Sequence, residues 1–181
     1  MARNRMRSGN TLDLRMLAEG MPGLTRACGT SLAEAAAVCL EHRQHKTGVT
    51  LHLSGMRTGQ YPIHWLPVDE ARRCYNDLQE ATERGAYGVA ILIVHNLTRK
   101  VVIERSRKGL GFDYWLGDED DDALFSGKAR LEVSGILSGS HSEAQSRVRQ
   151  KKEQIEPSDH LAPGYVLVIE FGTPNGYVES T

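Results

Sequence analysis

Two apolar runs dominate the alternation of hydrophobic and polar positions along the chain. "YGVAILIVHN" (87–96) and "GYVLVIEF" (164–171) are nearly continuous and rich in β-branched residues. That is the pattern of central strands covered on both faces. Five shorter segments also read as strands: "GVTLHLSG", "YPIHWL", "KVVIERS", "GFDYWL" and "ARLEVSGI". A Gly-containing turn joins the first two as a hairpin.

Helical spacing appears in "TSLAEAAAVCLEHRQHK", where Leu32, Ala35, Ala36, Cys39 and Leu40 share a face behind a Thr30 or Ser31 cap. Pro67 opens "PVDEARRCYNDLQEATERG", a second helix with Gly85 as its stop. A short helix is expected over residues 11–19. A last one starts at "SHSEAQ", where Ser142 and Gln145 fit a capping box, and runs to about Glu156 before Pro157. "GTPNGYVEST" reads as a frayed tail.

From residue 67 the order is helix, four strands, helix, strand. This predicts an α/β protein with a mixed central sheet flanked by helices, the core spanning 67–181. Residues 1–66 form an N-terminal extension of helices and a β-hairpin. The length, 181 residues, suits one domain or one domain with an extension.

Composition adds little: 40% hydrophobic and 25% charged residues exclude a disordered chain. A net charge of −1 announces no polyanionic partner, but the charge is unevenly spread. Basic residues cluster at Arg3, Arg5 and Arg7, at Arg99–Lys108 and at Arg147–Lys152, and Asp118–Asp122 is acidic. Cys28, Cys39 and Cys74 lack metal spacing, and Cys39 and Cys74 fall in helical apolar patterns, as buried free thiols do. His42 and His45, three apart, read as a solvated helix end, and Glu170 as the ion-pair partner of a buried strand. No apolar run reaches the length of a signal segment or a membrane span, so a cytoplasmic protein without membrane contact is expected.

The chemistry concentrates in two segments. "RLEVSGI" places Glu132 and Ser134 on one face of a strand, because residues i and i+2 point the same way. "GLGFDYWLG" carries Asp113 after Gly111. If the two pair as neighbours, Asp113 and Glu132 converge, and two close carboxylates repel unless a cation neutralises them. Hard oxygen ligands with open positions suit Mg²⁺ or Mn²⁺, which takes its remaining ligands from water and a phosphate.

"GFD…LEVSG" within this element order resembles the PD-(D/E)XK, or restriction-endonuclease-like, nuclease superfamily over roughly residues 67–172. The text "RSRKGLGFDYWLG…LEVSGI" is also similar to small bacterial proteins, a likeness that carries no function with it. The superfamily resemblance implies a Mg²⁺- or Mn²⁺-dependent nuclease, with Asp113 as the first acid and Glu132 as the second. It also implies a bacterial DNA-defence or mobile-element setting, while the small size and the N-terminal extension point to a subunit of a larger assembly. Glu83 corresponds loosely to a helix acid that some members use.

Ser134, however, stands where the family has its lysine. Two arrangements are open. In one, a lysine of the last helix takes over, Lys152 being favoured slightly over Lys151. In the other, the site has lapsed and the fold serves as an adaptor that binds a protein partner or a second copy of itself. Nucleic acid as partner points to Arg105, Arg107, Lys108, Arg147 and Arg149 as phosphate contacts.

Overall fold

The computed structural model describes residues 11–118 and 127–181. The runs Arg3–Arg7 and most of Asp118–Asp122 lie outside these residues.

β1 (Leu12–Asp13) leads into a short 3₁₀ helix, Leu14–Glu19, within the 11–19 span expected to hold a short helix. α1 (Arg26–His42) follows, then the hairpin β2 (Val49–Gly55) and β3 (Gly59–His64). α2 (Leu78–Thr98), β4 (Val101–Arg105), β5 (Tyr114–Gly117) and β6 (Ala129–Ile136) come next. α3 (His141–Ile155), β7 (Gly164–Glu170) and β8 (Asn175–Ser180) complete the described chain. The eight strands form one mixed sheet in the order β1-β3-β2-β8-β7-β6-β5-β4. The α/β class with a central sheet flanked by helices is as expected.

The apolar run at 87–96 is no strand; it lies inside α2. The helix starts at Leu78, capped by the Asp77 carboxylate on the backbone N–H groups of Gln79 and Glu80. Residues 67–77 form only a loop with a 3₁₀ turn at Ala71–Arg73. Gly85 does not stop the helix. A Cβ there would lie 2.8 Å from Ala36 Cα, so its absence lets α2 touch the backbone of α1. Sandwiched between α1 and the sheet, α2 is apolar nearly all round and loses the periodicity that would mark it as helical.

Other boundaries shift too. α1 is capped by Thr25 rather than Thr30 or Ser31. The capping box of α3 is Ser140 with Glu143, two residues before the expected pair. The segment read as a frayed tail is β8, which inserts between β2 and β7, parallel to the one and antiparallel to the other. Through it, the residue 1–66 hairpin and the later strands share a single sheet. Cys39 is buried as expected, but Cys74 is exposed. Glu170 has no ion pair among the described residues; its carboxylate accepts the N–H groups of Gly139, Gly172 and Thr173. His45 turns its Nε2 to the carbonyls of Phe171 and Gly172 and not to His42.

The two faces of the sheet differ. Leu131, Val133, Leu167 and Ile169 pack with α1 and α2 in the main core. On the opposite parity, Val166 and Val168 meet Ile155, Ala144 and Val148 of α3. β5 pairs with β6 only at Ala129–Leu131, while β6 runs on to Ile136. Past Leu131, therefore, the β6 edge has no strand partner among the described residues. α2 and α3 wall a cleft above that edge.

Candidate active site

The cleft holds about 840 Å³ and is lined by polar side chains from both helices and from β6. Asp113 sits at the point where β5 leaves β6. Its backbone N–H donates to Leu131 O, and its Oδ2 accepts the Val133 N–H at 2.9 Å. Glu132, on the strand between those two residues, is 2% exposed. Asp113 and Glu132 line the same cleft, and the charge of Asp113 is felt at the Glu132 carboxyl, so the expected convergence is present.

Burial first, and then the charge of Asp113, push the Glu132 carboxyl up to about 7, against the pull of Lys151. Lys151 Nζ donates to Glu132 Oε1 at 2.6 Å, and Gln154 Nε2 donates to the same oxygen at 3.0 Å. The preference for Lys152 is corrected here. Lys151 and Lys152 flank the core residue Val148 on opposite sides of α3. One side, with Arg147, Lys151 and Gln154 at helical spacing, overhangs the open edge of β6. The other overhangs β8, where Lys152 Nζ lies 3.8 Å from Glu179 Oε2 on the surface. Which strand lies beneath each flank decided the matter, and helical angle alone could not.

Ser134 is not left alone. Arg147 Nη1 donates to Ser134 Oγ at 2.8 Å, so a guanidinium stands over the position where the resembled family carries its lysine. Of the other basic residues predicted to contact phosphate, Arg105 lies against the site, 3.4 Å from Asp113 Oδ1. Arg107 and Lys108 are exposed in the β4–β5 loop, and Arg149 is exposed on the outer side of α3. None of these three lines the cleft.

The residues missed from sequence are Tyr87 and Gln154. The Tyr87 hydroxyl stands 2.9 Å from Glu83 Oε1 and 3.0 Å from Asp113 Oδ1 and donates to one of them at a time. It was hidden in a stretch read as a strand, although Asp77 with Glu80 three residues on marks the helix start that would have placed it. Burial, then the charge of Asp113, drive its phenol well above the usual range, so it stays a neutral donor.

No group of three or more His, Cys, Asp or Glu side chains suited to a metal occurs among the described residues. Asp113 and Glu132 are an acidic pair in the cleft, and a divalent cation would relieve their mutual repulsion. This fits Mg²⁺ or Mn²⁺, which keep several waters and bind through one or two carboxylates plus phosphate. No helix among the described residues is long and apolar enough to cross a membrane. Compared with family models, curated proteins and solved structures, the chain gives no match, so the reading of the site rests on its geometry.

Proposed function

We propose that the protein is a metal-dependent phosphodiesterase acting on nucleic acid, with Asp113 and Glu132 as the ligands of Mg²⁺ or Mn²⁺. The observation that supports it is the convergence of these two carboxylates, one just before β5 and one on β6, in a polar cleft bordered by Lys151 and Arg147. A hard cation held there supplies charge for a phosphodiester and acidifies a bound water. The rest falls to the chain. Lys151 and Gln154 orient Glu132, and Lys151 favours its ionised form. Arg147, held on Ser134, presents a planar donor fork to phosphate oxygens.

The rival is an adaptor without catalysis. It is favoured by a mostly apolar groove of about 500 Å³ between the Leu14–Glu19 helix, α1 and the loop at 65–71. Leu66, at its rim, is 61% exposed. One experiment separates the two. Purified protein is incubated with single- and double-stranded DNA and RNA, with Mn²⁺ or with EDTA, beside Asp113→Asn and Glu132→Gln. Cleavage that needs Mn²⁺ and both carboxylates is the expected result. No cleavage of any substrate, together with no Mn²⁺ uptake by calorimetry, overturns the proposal in favour of the adaptor.

A further inference from the structure

The two carboxylates of the site are secured from different parts of the fold. Glu132 is held from α3, by Lys151 and Gln154. Asp113 is held from the other wall. Its Oδ2 takes the Val133 N–H, while its Oδ1 faces the Tyr87 hydroxyl of α2 at 3.0 Å and Arg105 Nη2 of β4 at 3.4 Å.

Tyr87 has one hydroxyl proton and two carboxylate neighbours, Glu83 and Asp113. It donates to one at a time, and Arg105 Nη2, 3.3 Å from the Tyr87 oxygen, supplies charge to the same cluster. Arg105 is itself fixed by stacking. Its guanidinium carbon lies 4.7 Å from the Tyr87 ring centre and 4.5 Å from that of Tyr114. The two rings meet edge to face at 5.5 Å and 87°.

A tyrosine chosen only to fill the core would place its hydroxyl against a carbonyl or solvent. This one ends where three charged groups converge beside the cleft. We propose that Tyr87, with Arg105 stacked on it, is a positioning residue that sets the orientation of Asp113 for metal binding. The inference rests on the metal-dependent reading above.

The ring and the hydroxyl have separable tasks, which makes the test clean. Tyr87→Phe keeps the ring under Arg105 and removes only the bridge to Asp113. Outer partners of metal ligands typically contribute 10–100-fold in affinity. Mn²⁺ titrated calorimetrically into Tyr87→Phe is therefore expected to bind about 10-fold or more weakly than to wild type. At saturating metal, kcat should fall while KM for nucleic acid stays unchanged, a split that general loosening of the core would not give. Arg105→Lys, at a half-exposed position, keeps the charge and loses the fork. It should show the same loss in smaller degree and serves if Tyr87→Phe does not fold. Wild-type Mn²⁺ affinity and kcat in both variants would overturn the inference while leaving the metal reading intact. A wild type that neither binds Mn²⁺ nor cleaves nucleic acid removes the metal reading itself, and this inference with it.

Discussion

Lys151 and Glu132 form an ion pair in which Nζ stands 2.6 Å from Oε1 and the carboxylate is almost wholly buried. The ammonium thus already supplies positive charge to the acid that a metal would bind. On the metal-dependent reading, an incoming cation and the lysine would compete for that carboxylate, and turnover would need the lysine near the phosphate. Lys151→Met should therefore move two quantities in opposite directions. Mn²⁺ affinity measured without substrate should rise, and kcat should drop by ~10²–10³, the scale for removing a charge-stabilising group. A calorimetric titration beside a cleavage assay reads both. A fall in Mn²⁺ affinity would show that the lysine's hold on Glu132 in its ionised form outweighs its competition with the metal.

Glu132 also makes stability depend on pH in a direction unusual for a carboxylate. Its folded value, about 7, lies above its ordinary 4.5, so near pH 6 the folded protein holds a proton that the unfolded chain releases. This contribution is fully present below 4.5 and is lost as pH rises through 7. Urea midpoints taken in EDTA from pH 5 to 8 should fall in wild type relative to Glu132→Gln. Mn²⁺ affinity should run the other way and strengthen through the same window, because the metal needs the ionised acid. Parallel stability profiles for the two proteins would rule out this titration.

The exposed basic residues Arg107, Lys108 and Arg149 lie outside the cleft and are expected to contribute to affinity alone. Each phosphate contact releases counterions, so binding should weaken linearly in log–log plots against salt. Replacing all three by glutamine should flatten that slope by about 2–3 for a duplex ligand, with kcat at saturating substrate unchanged. An unchanged slope would place the phosphate contacts elsewhere, with Arg147 and Arg105 as the next candidates.

Arg130 offers a test of stability that leaves the cleft alone. Its side chain is 0% exposed. It donates to Ile155 O, Ala162 O, Ser158 Oγ, Asp159 Oδ1 and Thr181 Oγ1, tying β6 to the segment after α3. Lysine cannot reproduce that planar fork. Arg130→Lys is expected to cost on the order of 3 kcal/mol and to lower Tm by roughly 6–12 °C. A change within 2 °C by calorimetry, as for an ordinary surface substitution, would refute this role.

What could be read in advance followed from local rules. Glu132 and Ser134 share a face because strands have period two, and Asp113 meets them because the two segments do pair. The α2 error has an equally plain cause. The stretch 85–95 of α2, buried by α1 and by β6 and β7, shows no polar stripe, and a run such as Tyr87–Asn96 then looks like a covered strand. Lys151 could not be separated from Lys152 because the answer lay in β6 and β8, one under each flank of α3. Tyr87 went unseen for the first reason, and the Arg147–Ser134 contact because it joins elements remote from each other along the chain.

β8 lies in the middle of the sheet although it is the last strand to be synthesised among those described. The β2–β3 hairpin can close early, but among the described residues its link to the later strands runs through Asn175–Val178. On a ribosome the early hairpin must wait, with one strand edge unpaired, for residues made more than a hundred positions later. Such distant pairing slows folding, since a long loop must close before its contacts form. During that interval the unpaired edge is open to other chains. Aggregation during synthesis, more than loss of equilibrium stability, is therefore where damage to β8 would first be felt.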